Sequence, residues 1–239
     1  MGAHDERTSV RGDGMADVDA VSARTASAPL VPATPRGEAT RRRLLDAAED
    51  VFGEMGYYEA SVSEITRRAG VAQGTFYIYF HSKRETFVEL VEDIGERLRT
   101  ATSAAIQDEP DRLKAERKGF EAFFRFVYEH RRIYRIVEEA GRVAPEAARE
   151  YYRRISLGYE RGLASAMRDG QLRPGNEEGL AYALMGIGHF LALRWLIWPS
   201  EEEAAEQAAD ASPSVIPDAV LESVMSFIAR GLRMDEQPE

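Results

Sequence analysis

Two short helices joined by a tight turn, in residues 61–83, are the pattern that most constrains how this chain folds. Ser61 and Glu64 form a Ser-x-x-Glu capping box, which predicts that a helix begins at Ser61. Gly70 can adopt the left-handed conformation that ends a helix, so the first helix should end just before it. A second helix then begins at about Ala72. Two helices joined in this way form the helix-turn-helix pattern, which places its second helix in the DNA major groove.

The same residues carry a more specific signal at fixed spacing, I-x3-AGV-x2-GTFY-x-YF-x2-K. Its members are Ile65, Ala69, Gly70, Val71, Gly74, Thr75, Phe76, Tyr77, Tyr79, Phe80 and Lys83. This string resembles the amino-terminal DNA-binding domain of TetR-family transcriptional regulators, and the resemblance covers about residues 38 to 88. Tyr79 stands where the family often has His, and both side chains can donate to a phosphate. The resemblance implies a three-helix DNA-binding domain followed by a larger helical domain that binds an effector and dimerises.

The charge distribution leaves two interpretations open. The formal net charge is -10 and the pI is near 5.1, which disfavours DNA binding because affinity for DNA comes largely from neutralising phosphates. Locally, basic residues predominate. Between residues 61 and 84 the only acidic residue is Glu64, against Arg67, Arg68, Lys83 and Arg84. The first helix begins with Arg41, Arg42 and Arg43. They form either a basic DNA-binding face or a solvated, ion-paired surface. Only their coincidence with the helix-turn-helix favours the first.

Composition excludes several classes of protein. No cysteine is present, so disulfides and thiolate metal sites are impossible. The four histidines, at positions 4, 81, 130 and 189, lack metal-ligand spacing, and no phosphate loop or nucleophile elbow appears. We therefore expect no enzyme activity, no metal and no cofactor. The first thirty residues lack the apolar core of a signal peptide, so a cytoplasmic location is expected.

Helical periodicity continues along the whole chain, and no segment has the alternation of a strand. The predicted fold is all-α with about nine helices. We expect a disordered tail at residues 1–36, a helix-turn-helix domain at 37–88 and a helical effector-binding and dimerisation domain at 89–239. The first helix is predicted from Glu38 to Met55, and later helices end near Ala105, Glu129, Gly141, Arg168, Trp198 and Leu232.

The segment from Asn176 to Trp198 is the most apolar in the chain and is long enough to span a bilayer. His189 and Arg194 lie within it, and such groups are costly in lipid. We therefore expect a helix that is buried by the body and by a partner subunit, and no membrane association. Residues 199–216, rich in Ala, Glu and Pro, are predicted to form a mobile acidic loop.

The predicted recognition helix is about seven residues long, with Val71, Phe76 and Phe80 facing inward. Gln73 can make paired hydrogen bonds to adenine, and small outward side chains can touch a thymine methyl group or a phosphate. For the outward tyrosines, core packing is the alternative to phosphate contact. With the roles that the resemblance implies, the predicted DNA-binding residues are Thr40, Ser61, Ala72, Gln73, Gly74, Thr75, Tyr77, Tyr79 and Lys83.

A seven-residue helix reads few base pairs, so we expect a homodimer, joined through its two carboxy-terminal helices, on a palindromic operator. The large body predicts a pocket for a hydrophobic effector, such as an acyl thioester, a lipid or a drug-like compound, that releases a repressor from DNA. The candidate ligand-binding residues are Phe120, Phe123, Phe124, Tyr128, Tyr152, Tyr159, Met185 and His189. An aromatic core without a cavity is the alternative for these residues. The alternative function is a hydrophobic-ligand-binding module without DNA-reading activity.

Overall fold

The computed structural model describes residues 34–199 and 215–234. Most of the predicted tail and of the predicted acidic loop lie outside these residues. The described part is all-helical and contains no strand, so the predicted fold class is confirmed.

Nine α-helices, numbered here in chain order, make up this part of the chain. They are α1 (Pro35–Met55), α2 (Val62–Ala69), α3 (Gln73–Tyr79), α4 (Lys83–Ile106), α5 (Arg112–Glu129), α6 (Arg131–Val143), α7 (Pro145–Arg168), α8 (Glu177–Ala192) and α9 (Asp218–Leu232). A π-helical turn, Leu193–Ile197, continues α8 without a break.

Helix α1 begins three residues earlier than the predicted start at Glu38. Thr34 is its N-cap and accepts a hydrogen bond from the Gly37 N–H at 3.2 Å, and Pro35 occupies the first turn, where its missing N–H costs nothing. As a result Thr40 lies in the helix interior, where its hydroxyl donates to the Arg36 carbonyl at 3.0 Å. Thr40 is therefore not at a free helix end, but its side chain is partly exposed, and its contact with DNA remains a prediction.

Helices α2 and α3 begin and end where the sequence predicts. The Ser61 hydroxyl accepts the Glu64 N–H at 3.2 Å, and Gly70, with a φ of 65°, ends α2. Only half of the predicted capping box forms. The Glu64 carboxylate instead accepts hydrogen bonds from Arg67 and Arg68, which lower its pKa to about 2.

Two hydrophobic cores share this helical framework. The first core contains residues of the four helices α1, α2, α3 and α4. It also contains buried residues of α6 and of the first half of α7, among them Ile136, Val137 and Tyr151. The second lies among α5, the end of α7, α8 and α9. The amino-terminal helices therefore pack on α6 within one continuous core. The division of the chain at residue 88 remains a prediction.

Polar contacts reinforce the junction between α6 and the end of α1. The Glu139 carboxylate accepts the Tyr57 N–H at 2.7 Å, and Arg132 forms an ion pair with Glu54 at 2.9 Å. Gly56 lies directly beneath Glu139: its φ is 79°, and a Cβ atom there would lie 2.7 Å from Glu139 Oε1. The positive φ favours glycine at this position, and a Cβ atom there would also displace the Glu139 carboxylate.

Candidate nucleic-acid interface and internal cavity

Helix α3 is fixed from below by two phenylalanines. Phe76 and Phe80 are fully buried, and their ring centroids lie 5.4 Å apart. Val71 is half-buried and packs against the same core. The predicted inward face is therefore present, and it holds a seven-residue helix that is too short to be stable alone.

The opposite face of α3 is open. Ala72, Gln73 and Gly74 are exposed, Thr75 is half-buried, and Tyr77 is 53% exposed. A Cβ atom at Gly74 would meet nothing within 4 Å, so no other part of the described chain covers the backbone at this position. Ser61 is likewise exposed, at the start of α2. Their contacts with DNA remain predictions.

Tyr79 and Ile78 differ from the expected arrangement. Tyr79 is half-buried and packs against the first core, as the alternative of core packing proposed. Ile78, which the sequence did not single out, is 45% exposed. Since successive helical residues are about 100° apart, the outward surface at the end of α3 centres on Tyr77 and Ile78.

Lys83 does not present its ammonium group as a free phosphate donor. Its Nζ donates to the Tyr57 carbonyl at 2.8 Å and to the Ala60 carbonyl at 2.7 Å, and it lies 4.4 Å from the centroid of the Tyr57 ring. Burial lowers the pKa of Lys83. In this arrangement Lys83 ties the start of α4 to the loop between α1 and α2, and its contact with a phosphate remains a prediction.

Most of the basic residues that suggested a DNA-binding face are ion-paired. The pairs are Arg41 with Glu89, Arg42 with Asp46 and Asp93, Arg67 with Glu64, Arg68 with Glu54 and Glu64, and Arg84 with Glu146. Within the described residues Arg43 has only a 3.5 Å contact with the Thr40 hydroxyl. Exposed ion pairs contribute only about 0 to 1 kcal/mol each, so exchanging a carboxylate for a phosphate costs little.

A cavity of about 210 Å³ lies among α4, α5, α6, α7 and α8. Six of the eight predicted ligand-binding residues line it: Phe120, Phe123, Tyr152, Tyr159, Met185 and His189. The other two do not. Phe124 is turned into the second core, and Tyr128 is 46% exposed, with Arg131 stacked on its ring at 4.7 Å.

One side of the cavity carries a polar pair that the sequence did not reveal. The Tyr134 hydroxyl lies 2.5 Å from His189 Nδ1, and His189 Nε2 lies 3.7 Å from a Glu138 oxygen. Burial raises the pKa of Tyr134, so its hydroxyl stays neutral. In the sequence, Tyr134 lies three residues before the apolar Val137, which puts both on one face of a helix. That spacing was the available signal that Tyr134 turns inward.

Charged residues also line the cavity and were missed, because charges on an amphipathic helix normally face solvent. Arg112 and Glu116 form an ion pair with side chains only 12% and 2% exposed. Burial raises the pKa of the Glu116 carboxyl, and the Arg112 charge opposes that rise. Arg99, Arg154 and Arg161 line the part of the cavity that reaches the surface between α4 and α7.

No group of three or more His, Cys, Asp or Glu side chains that could hold a metal ion occurs in the ranges 34–199 and 215–234. The cavity and the open face of α3 correspond to the two sites that the sequence predicts, and α6 both lines the cavity and packs against α1.

The amino-terminal helices match a known family. The family model described as "Bacterial regulatory proteins, tetR family" matches residues 44–90, which run from α1 through α2 and α3 into α4. Similar curated proteins are transcriptional regulators. YdgC of Bacillus subtilis is 42% identical over 71 residues, which cover 30% of this chain and 36% of YdgC. The transcriptional activator FasR of Mycolicibacterium smegmatis is 29% identical over 163 residues, which cover 68% of this chain and 74% of FasR.

Solved structures share the fold over most of the chain. A TetR-family regulator from Syntrophomonas wolfei superposes with a TM-score of 0.67 at 20% identity, covering 83% of this chain and 99% of that one. FadR of Bacillus subtilis, solved with stearoyl-CoA, gives a TM-score of 0.64 at 19% identity, covering 80% and 98%.

The helix-turn-helix, its match to the family model and its regulatory relatives define a class of DNA-binding transcriptional regulators. The resemblance of the helix-turn-helix region to the TetR family is confirmed at residues 44–90.

We predict that Lys83→Met lowers the free energy of unfolding by about 1–3 kcal/mol, because the carbonyls of Tyr57 and Ala60 in the loop after α1 lose the donor that Lys83 supplies. The matched control is Arg67→Met, whose side chain is 70% exposed, and we expect a change within about 0.5 kcal/mol. Urea denaturation measures both. Unchanged stability together with a DNA affinity that depends less steeply on salt would instead make Lys83 a direct phosphate contact.

Proposed function

We propose that this protein is a cytoplasmic, homodimeric repressor that binds a palindromic operator and leaves it when a hydrophobic effector fills the cavity. The observation that carries the proposal is the geometry of α3, whose Phe76 and Phe80 are buried while Gln73 and Tyr77 stand outward. FasR is named an activator, so relatives of this chain include the opposite sign of regulation. Repression rests on the resemblance to the family.

The exposed residues of α3 divide into two roles. Gln73 reads adenine through paired hydrogen bonds, and Ala72 and Thr75 contact a thymine methyl group or a phosphate. Tyr77 donates to a phosphate and positions the helix without reading sequence. The helix is about 10 Å long at 1.5 Å per residue, so one copy spans only a few base pairs.

Two copies are brought together by an apolar surface on the carboxy-terminal helices. Phe190 is 64% exposed on α8 and Phe227 is 71% exposed on α9, with Tyr182 and Trp198 also exposed nearby in sequence. Large aromatic side chains are seldom left in water unless a partner covers them. Paired α8 and α9 helices of two subunits would form a four-helix bundle.

The segment Glu177–Ile197 has the length and hydropathy of a membrane span, and 33% of its most apolar window is buried within one subunit. His189 contacts Tyr134 and Glu138, so one side of this helix is committed to the protein interior. A second subunit accounts for the remaining apolar surface. We therefore favour the dimer over membrane insertion.

The cavity supports an amphipathic effector of the acyl type. Its walls are mostly aromatic and aliphatic, and Arg99, Arg154 and Arg161 stand where it meets solvent. An acyl chain fits such walls, and an anionic head group fits such a mouth. FadR, which shares this fold, was solved with stearoyl-CoA.

Helix α6 connects the two sites. Tyr134 and Val137 line the cavity, whereas Arg132 and Glu139 on the same helix bind the end of α1. If the effector binds more tightly when α6 is displaced, its binding moves α6 and, with it, the amino-terminal helices of both subunits. By linkage, it must weaken operator binding by the factor by which the operator weakens effector binding.

The second candidate function is a hydrophobic-ligand-binding module without DNA-reading activity. The ion pairing of the basic residues favours it, together with the net charge of -10. Salt dependence discriminates the two functions, since phosphate contacts make DNA affinity fall steeply with salt.

Selection of bound duplexes from a random DNA pool tests the DNA-reading function. We expect a palindrome for the wild type. Gln73→Ala should relax the preference at one position in each half-site and cost about 1–3 kcal/mol there, whereas Tyr77→Ala should weaken all sequences equally. The absence of enrichment even at low salt would favour the ligand-binding module.

Phe227→Glu should convert the dimer to monomer, because it places a charge in the centre of the proposed apolar interface. Tyr58→Glu is the matched control: Tyr58 is 69% exposed but lies in the loop after α1. Analytical ultracentrifugation should show a dimer for the wild type and the control. A dimer that survives Phe227→Glu would place the interface elsewhere.

A long-chain acyl-CoA should lower the affinity for the selected operator, whereas coenzyme A without the acyl chain should not. Gly119→Leu should abolish this response and leave DNA binding intact, because Gly119 lines the cavity and its Cβ position lies 3.8 Å from Ile106. Gly141→Leu is the control, since nothing lies within 4 Å of that position. Fluorescence anisotropy of labelled operator measures the response of each of the three proteins to each of the two ligands.

An operator affinity unchanged by saturating acyl-CoA would contradict an acyl effector. A response that persists in Gly119→Leu would show that the ligand acts outside the cavity.

A further inference from the structure

The aromatic residues that line the cavity are of two kinds. Where α5 meets α8, Phe120 and Phe123 supply rings without polar atoms, and Gly188 leaves room for both: a Cβ atom there would lie 3.2 Å from Phe120 and 3.5 Å from Phe123. On α7, Tyr152 and Tyr159 supply rings that each carry a hydroxyl group. The cavity therefore combines an apolar surface with hydrogen-bonding groups.

Tyr152 and Tyr159 lie on one face of α7. They are seven residues apart, which is close to two helical turns and about 10 Å along the helix axis. Ile155 lies between them and also lines the cavity. A ligand that lies along α7 therefore passes both tyrosine rings, with an aliphatic contact between them.

The hydroxyl groups of Tyr152 and Tyr159 form no hydrogen bond with any other described residue, whereas the Tyr134 hydroxyl is bonded to His189. In the same part of the chain, the only completely enclosed side-chain nitrogen or oxygen without a partner is Arg112 Nε. The hydroxyl oxygens of Tyr152 and Tyr159 are therefore not sealed off by protein, and another molecule can reach them.

The reachable surface of these two oxygens faces the cavity. Burial raises the pKa of both tyrosines, as it does for hydroxyl groups that protein surrounds. Tyr152 packs against the first core and Tyr159 against the second. An oxygen that is surrounded by protein and can still be reached borders an internal space, and the cavity is the space that both residues line.

A free hydroxyl group in such a wall affects which ligand binds best. A neutral phenol can donate one hydrogen bond and can also accept one. A saturated alkyl chain packed against it leaves the hydroxyl unpaired, which costs free energy. A chain that carries an oxygen at the same point forms the bond, so a site of this kind discriminates against the analogue that lacks the oxygen.

We propose that the cavity takes an oxygenated hydrophobic chain, hydroxylated or oxo-substituted within its length, whose oxygen binds the hydroxyl group of Tyr152 or Tyr159. This inference rests on the proposed effector cavity and names the class of molecule that fills it. Phe120 and Phe123 contact the hydrocarbon part of the chain, and an anionic head group stays with the arginines at the mouth.

The test compares decanoic acid with decanoic acids that are hydroxylated at the third, sixth or tenth carbon, by isothermal titration calorimetry. All four carry the same carboxylate, so differences in affinity come from the hydroxyl group, and the three positions sample the length of the cavity. We expect at least one hydroxy acid to bind about three- to tenfold more tightly than decanoic acid, the gain from one hydrogen bond between neutral groups.

Tyr152→Phe and Tyr159→Phe each remove one hydroxyl oxygen and keep the ring. One of these variants should abolish the preference for the hydroxy acid, and neither should weaken the binding of decanoic acid. Tyr128→Phe is the matched control, because Tyr128 is 46% exposed and does not line the cavity. This control should change none of the affinities.

Thermal unfolding without ligand separates recognition from a structural role. Because the Tyr152 and Tyr159 hydroxyls have no partner among the described residues, both phenylalanine variants should melt at or above the wild-type temperature. Tyr134→Phe, which breaks the bond to His189, should melt below it. A lower melting temperature for Tyr152→Phe and Tyr159→Phe would give their hydroxyl groups a structural role and contradict the inference.

Equal or weaker binding of all three hydroxy acids would overturn this inference and leave the cavity as a site for plain alkyl chains. A preference that persists in both phenylalanine variants would also overturn it, since the oxygen would then bind elsewhere. If the wild type bound none of the four acids, nor a long-chain acyl-CoA, the proposed effector function would fail first and this inference with it.

Discussion

The contact between Glu139 of α6 and the Tyr57 N–H is the interaction on which the arrangement of this molecule depends. It places a carboxylate 2.7 Å from a backbone donor just beyond the end of α1, and the absence of a side chain at Gly56 leaves room for it. Around it, α6 shares a hydrophobic core with the helix-turn-helix helices. The helix-turn-helix helices are therefore packed on α6, the helix that also forms a wall of the cavity.

This packing gives a physical basis for coupling between the two sites. A single rigid helix carries Tyr134 and Val137 on the cavity side and Arg132 and Glu139 on the side of α1. A ligand can bias DNA binding only through a difference in its affinity for two arrangements. In our proposal, α6 is the element that distinguishes those arrangements.

The distribution of charge shows how an acidic protein can hold a DNA-binding head. The arginines near α2 and α4 are mostly paired with carboxylates of their own or neighbouring helices. These pairs are exposed to differing degrees, and exposed pairs are weak. In our proposal, phosphates compete for the same arginines, and the residues of α3 supply the contacts that depend on sequence.

The sequence by itself determined the local structure of the helix-turn-helix, because caps and turns are decided by neighbours along the chain. Ser61, Gly70 and the apolar spacing of Phe76 and Phe80 were sufficient to place α2 and α3. Only the tertiary structure decided which side chains were committed to the interior. Lys83 binds carbonyls of a distant loop, Phe124 turns away from the cavity, and Arg112 with Glu116 turns into it. Helical periodicity fixes the direction of a side chain, but what that side chain meets depends on the packing of the other helices.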